Sequence, residues 1–263
     1  MVIVNIIIAC LISFFVSAIS VSIGGTSLIT IPVLIWLGMI SKNAIATNMF
    51  ALIFLSIFGA VGFRKEIRPT QNKMIPLFLI LTICGSFIGA NLMLTIDEDI
   101  LKKIIAVIIC IIAVSLFFKK DLGIHERKGK LSKMKFFIGT LSVFILGVYG
   151  GFFSGGYVSL LTYIFILVFG LNFLQTAFVT KIFNIFSSLV ACAFFFYHGL
   201  INFSVGIPLA ISMSLGAFFG TRLAIAKGNL WIRPPKQSQS GGFKSFGFSH
   251  RPLYVCLSLK REG

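Results

Sequence analysis

Long apolar stretches punctuated by glycine, proline and charge dominate this chain. They fall at about 3–22, 26–38, 43–63, 74–95, 101–118, 136–154, 157–170, 174–198 and 201–224. Most are close to the ~20 residues that carry a helix across a bilayer core. None shows the alternation of a half-buried strand. The pattern predicts an all-α, polytopic transmembrane helical protein. Two runs are short, 26–38 and 157–170, and each follows a glycine pair, Gly24-Gly25 and Gly155-Gly156. Helix, break, short helix is the signature of a broken or re-entrant element.

Composition agrees. Charged residues make up 11% of the chain and hydrophobic ones 57%, where a soluble domain carries about 25% charged residues. The formal charge of +16 raises the question of nucleic acid, but its distribution answers it. Arg64, Lys65, Arg68 and Lys73 crowd one loop, and KKDLGIHERKGKLSKMK over 119–135 forms another. The turn at 96–99 holds Asp97, Glu98 and Asp99, and the turn near His198 has no Lys or Arg. Arg222 and Lys227 mark the end of the last apolar run. Basic loops alternating with uncharged or acidic ones follow the positive-inside rule. Loops 64–73 and 119–135 and the C-terminus are expected in the cytoplasm, the other two turns outside, with no nucleic-acid partner. The apolar N-terminus lacks a basic leader and is expected to stay as a helix. The five cysteines show no metal-binding spacing, and no metal or cofactor is expected.

The chain also repeats. GSFIGANL (85–92) matches GAFFGTRL (216–223), and at a nearly constant offset Pro76 meets Pro208, Thr47 meets Thr180, Gly38 meets Gly170 and Gly25 meets Gly156. Matched loops carry opposite charge character, which predicts two inverted-topology repeats, as in many secondary transporters. The charge alternation requires an odd number of crossings between 135 and 197. Two full spans plus 174–198 satisfy it, and so does one re-entrant hairpin plus 174–198.

Within this frame AFVTKIFN (177–184) places Lys181 deep in an apolar run, and the repeat pairs it with Asn48. Thr47, Asn48, Thr180, Lys181 and Asn184 are hydrogen-bond donors with one positive charge. Breaks at Gly24, Gly25, Gly155 and Gly156 would add free backbone N–H groups at helix starts, which favour anions. These nine residues are the candidate binding set for a small oxyanion. Other readings stand beside this one. Asn48 and the threonines also suit interhelical hydrogen bonding, the glycines suit close helix packing, and Lys181 suits snorkelling from a helix that starts late. No carboxylate lies mid-membrane, against a cation pathway or an acidic proton relay, and no protease or P-loop motif is present. No enzymatic activity is expected.

The arrangement of Gly24-Gly25, Pro32, Gly38 and Ala46-Thr47-Asn48 resembles the first motif of the sulfite exporter TauE/SafE family. GVYGGFFSGG (147–156), Gly170 and Thr180-Lys181 to Asn184 resemble its second motif, and GAFFGTRLA (216–224) is also similar. The resemblance covers about residues 5–229. It implies a transporter of small sulfur-containing anions such as sulfite, thiosulfate or sulfonates in the plasma (inner) membrane of a prokaryote, with a small anionic substrate and the lipid bilayer as its partners. Alternatives are a passive anion or metabolite channel, a non-transporting assembly subunit, or an inactive remnant. The expected organisation is a first repeat over 1–118, a basic loop over 119–135, and a second repeat over 136–229. After these comes an atypical tail, 230–263. The family ends on an apolar helix. Here the second repeat lacks that last helix, and the Pro-, Gly-, Ser- and Lys-containing tail predicts disorder and suggests a disrupted reading frame, with a genuine cytoplasmic tail as the alternative.

Overall fold

The structure, a computed structural model, describes residues 2–64, 75–117 and 132–227. Loop residues 65–73, most of the basic loop (119–131) and the tail 230–263 lie outside the described residues. The helices are α1 Val2–Ser20, α2 Thr26–Trp36, α3 Ser41–Phe63, α4 Ile75–Thr95, α5 Glu98–Phe117, α6 Lys133–Phe152, α7 Tyr157–Leu167, α8 Phe173–Tyr197 and α9 Phe203–Lys227. All belong to the unit Met1–Arg233, and no strand occurs among the described residues.

Six of them (α1, α3, α4, α6, α8 and α9) are long and apolar enough to cross a membrane. With 11 residues each, α2 and α7 reach only about 16 Å, roughly half of a hydrocarbon core. The side-chain distribution fits lipid as solvent. Helix α1 exposes Ile3, Ile7, Leu11 and Phe15 while burying Ala9, Ser13 and Ser17. In water that arrangement would be reversed. In lipid, apolar bulk faces outward and small or hydroxyl residues bring helices together.

Local signals set the boundaries. Asn172 caps α8: its Oδ1 accepts from the Gln175 N–H at 2.8 Å, and Gln175 Oε1 accepts from the Asn172 N–H at 3.3 Å, a reciprocal capping box. The start of α3 is held from another helix, its Ser41 N–H donating to the Glu98 carboxylate at the head of α5. Lys42 Nζ donates to the Leu94 carbonyl near the end of α4 at 2.9 Å.

The sequence repeat reappears as a repeat of packing. Helix α4 packs on α6, and α9 packs on α1. In each pair the matched glycines meet the partner's backbone. A Cβ on Gly85 would lie 2.7 Å from the Phe144 oxygen and from the Val148 nitrogen, and one on Gly89 1.9 Å from the Val148 oxygen. On α9, a Cβ on Gly216 would lie 2.4 Å from the Phe14 oxygen and 3.2 Å from the Ala18 nitrogen, and one on Gly220 2.1 Å from the Ala18 oxygen. Phe14 and Ala18 of α1 therefore stand where Phe144 and Val148 of α6 stand.

Candidate functional site

The two chain breaks meet. Ser159 Oγ of α7 donates to the Ile23 carbonyl before α2 at 3.0 Å. A Cβ on Gly24 would lie 2.8 Å from both the Val158 Cβ and the Ser159 nitrogen. Gly25 (φ 91°) and Gly156 (φ 76°) are the left-handed N-cap residues of α2 and α7, and neither helix start has a side-chain cap. An uncapped helix start keeps unpaired N–H groups and the positive end of the helix dipole. The α6–α7 break also contains a non-glycine residue at positive φ, Ser154 (61°).

A small pocket lies at this junction. Gly24, Gly25, Thr26 and Ser27 form one wall, Ser154 and Val158 a second, Leu52 and Leu55 of α3 a third, and Lys181 and Asn184 of α8 the last. Its free volume is about 10 Å³, about the room that one water needs. The protein is therefore closed around this point. A larger groove of about 430 Å³ lies between α3 and α9, but Phe50, Phe54, Phe58, Ile207, Ile211 and Leu215 line it. Most of these face outward, and the groove carries no charge.

Lys181 is 1% exposed. It lies two turns inside α8, which starts at Phe173, so its charge stays within the protein and does not snorkel to a helix end. The aliphatic stem runs along Gly59 of α3, where a Cβ would lie 3.3 Å from Lys181 Cδ and 3.4 Å from Cε. Among the described residues Nζ makes no hydrogen bond or ion pair. The carboxylates of that set, Asp97, Glu98 and Asp99, stand at the α4–α5 turn, and the described ion pair joins Asp99 to Lys102 at 3.8 Å. One turn along α8, Asn184 Nδ2 donates to Ser56 Oγ at 2.7 Å, while its buried Oδ1 has no partner among the described residues.

The structure thus brings Lys181, Asn184, Gly24 and Gly25 to one pocket and places the other candidates around it. Asn48 is buried, with Oδ1 accepting from Thr30 Oγ1 at 2.6 Å and Nδ2 donating to Ser27 Oγ at 2.9 Å. It pins α3 to α2. Thr47 Oγ1 accepts from the Asn202 N–H at 3.0 Å, at the start of α9. Thr180 turns back on its own helix, donating to the carbonyls of Thr176 (2.9 Å) and Ala177 (3.2 Å). The Gly155 carbonyl accepts from the Tyr149 hydroxyl, and Gly156 abuts Ile112 of α5. Sequence reasoning missed Thr26, Ser27, Ser56, Gly59 and Ser154. Only Thr26 and Ser27 carried a signal, as hydroxyl residues directly after a glycine break.

Two expectations follow. Asn48→Ala leaves the Ser27 and Thr30 hydroxyls without their interhelical partner. It is expected to cost about 1–3 kcal/mol, read as a lower melting temperature in detergent. Gly59→Val drives a branched side chain into the Lys181 stem. The overpacking is expected to cost about 1–3 kcal/mol, read as a lower melting temperature in detergent.

The sulfite exporter TauE/SafE family profile matches residues 9–234. A Haemophilus influenzae protein named "Probable membrane transporter protein" is 32% identical over 223 residues, covering 85% of this chain and 86% of the relative. The Escherichia coli K12 "Probable membrane transporter protein YfcA" is 29% identical over 80% of this chain and 77% of its own length. A Sinorhizobium "Probable membrane transporter protein ORF9" is 27% identical over 86% and 85%. No solved structure matches the chain.

Proposed function

The chain belongs to the sulfite exporter TauE/SafE family, and from that premise we propose that it is a secondary transporter of small sulfur-containing oxyanions. Sulfite, thiosulfate and sulfonates are the candidate substrates, moved across the plasma membrane of a prokaryotic cell. One observation carries the reading: Lys181 is buried, without a carboxylate partner among the described residues, and shares a pocket with an uncapped helix start. An intramembrane cation of this kind marks a pathway more readily than a packing contact, and the N–H groups of a helix start add to its pull on an anion.

In this reading Lys181 supplies the charge, and Asn184 with the Thr26 and Ser27 region supplies hydrogen bonds. Gly24 and Gly25 let backbone approach the ion. Asn48, Thr47 and Thr180 act as positioning residues, and Gly155 and Gly156 shape the second break. The two repeats, 1–118 and 136–229, are inverted with respect to the membrane, and rocking of one against the other opens the closed pocket to each side in turn. The basic loops and the C-terminus face the cytoplasm.

The test is uptake of labelled sulfite, thiosulfate and a sulfonate into proteoliposomes under an imposed ion gradient. Accumulation against the anion's own gradient is the expected result. Equilibration without accumulation identifies a passive channel. No flux for any of these anions in correctly folded protein overturns the proposal.

A further inference from the structure

One helical turn beyond Asn184, the buried polar stripe of α8 continues into a second cluster made of oxygen atoms. Thr82 and Ser86 of α4, Tyr157 at the start of α7 and Ser187 of α8 are each at most 1% exposed. Ser86 Oγ lies 2.8 Å from Ser187 Oγ and 3.2 Å from the Gly147 carbonyl, to which it donates. The Tyr157 hydroxyl stands beside Thr82 and Ser187, yet among the described residues neither it nor Thr82 Oγ1 completes a hydrogen bond. Ser188 Oγ, next along α8, is also buried without a partner among the described residues.

The glycines of α6 let its backbone reach this cluster. A Cβ on Gly150 would lie 2.9 Å from Ser187 Oγ and from the Tyr157 ring, and one on Gly147 3.1 Å from the Thr82 carbonyl. The cluster also sits on the C-terminal half of α6, which ends at Phe152, the end where a helix dipole is negative. Hydroxyl and carbonyl oxygens with no imidazole, thiolate or amide nitrogen are the donor set of a hard cation. The lack of any carboxylate favours a single charge over a divalent ion.

The other half of the molecule does not reproduce the feature. Where GSFIG (85–89) carries Ser86, the matching GAFFG (216–220) carries Ala217, and Tyr157 aligns with Thr26. A site confined to one repeat, next to the pocket but separate from it, is suited to an ion that moves with the substrate. We infer that Thr82, Ser86, Tyr157, Ser187 and the Gly147 carbonyl form a sodium-ion site one turn from the Lys181 pocket. Sodium loading there stabilises the protein and drives anion movement. The driving role rests on the transport reading above, whereas the binding of sodium does not.

Thermal melting of the full chain in detergent, without any sulfur anion, tests the site. Sodium chloride at about 100 mM is expected to raise the melting temperature by about 3 °C or more over choline chloride of equal ionic strength. Ser86→Ala with Ser187→Ala removes that rise, while Lys181→Met keeps it and loses anion flux. Wild-type melting alone decides the matter if the double variant fails to fold. Equal melting in sodium, potassium and choline overturns the site and leaves the cluster as interhelical hydrogen bonding. If sodium raises the melting temperature but anion flux follows a proton gradient with no sodium dependence, the driving role is overturned. Sodium-dependent melting with no flux of any anion sinks the transport reading and leaves the ion site standing.

Discussion

Lys181→Met is expected to reduce anion flux by about 100-fold or more while leaving the folded protein as stable as the wild type, or more stable. The two effects separate because one charge serves two accounts. For folding, Lys181 is a buried amine, 1% exposed, with no ion-pair or hydrogen-bond partner among the described residues. Replacing a buried charge with an apolar side chain of similar length is often neutral or stabilising. For transport, the proposed reading makes the same group the main attraction for the substrate. Removing one partner of a buried charge pair costs roughly 2–5 kcal/mol, and every 1.4 kcal/mol is about tenfold. Initial rates in proteoliposomes and melting in detergent give the two readings. Flux retained in the variant would make the lysine a packing residue. A collapse in melting temperature would mean that Nζ has a structural role.

The second large effect is expected at the helix crossings. Gly89→Ala and Gly220→Ala each place a methyl about 2 Å from a backbone oxygen, at Val148 and Ala18 respectively. Backbone cannot rotate aside as a side chain does, so α4 must part from α6, or α9 from α1. Overpacking of this kind costs about 1–3 kcal/mol and sometimes more, and these sites belong at the upper end. The two losses should be similar, because the matched glycines make the same contact in both halves. Gly38→Ala is the comparison. No described residue lies within 4 Å of its Cβ position, and its positive φ of 96° opposes the change, by about 1–2 kcal/mol. Melting temperatures of the three variants in one detergent check the order. Equal losses at all three would remove close packing as the reason for the GSFIG and GAFFG glycines.

The helices were legible because lipid imposes a long apolar run on every span, and the breaks because glycine pairs interrupt those runs. The repeat also carried into packing, since Gly85-Gly89 and Gly216-Gly220 select the same backbone approach. Side-chain direction was not legible. Asn48 and Lys181 align, yet the amide is consumed by Ser27 and Thr30 of α2. With Gly25 set against Gly156, the residues of α7 at those places are Val158 and Leu161, which offer no hydrogen bond. One half therefore satisfies its polar residue and the other leaves an amine without a partner among the described residues. That difference lies in the neighbouring helix, out of reach of a comparison confined to positions 48 and 181. Thr180 shows the same limit: a threonine inside a helix returns its hydroxyl to the preceding turn, as the bonds to Thr176 and Ala177 show. Ser154, a non-glycine residue at φ 61° in the pocket wall, follows from the geometry of its break and from no local sequence signal.

The most direct measurement is the position of a bound anion. Crystals of the full chain grown with selenite, a heavier analogue of sulfite, would reveal the selenium by its anomalous scattering. The expected peak lies beside Lys181 Nζ, with a selenite oxygen accepting from it, between Asn184 and the Gly25–Ser27 start of α2, and it disappears in Lys181→Met. An ordered selenite bound elsewhere, with this pocket closed and empty in protein that still carries the anion, would contradict the assignment.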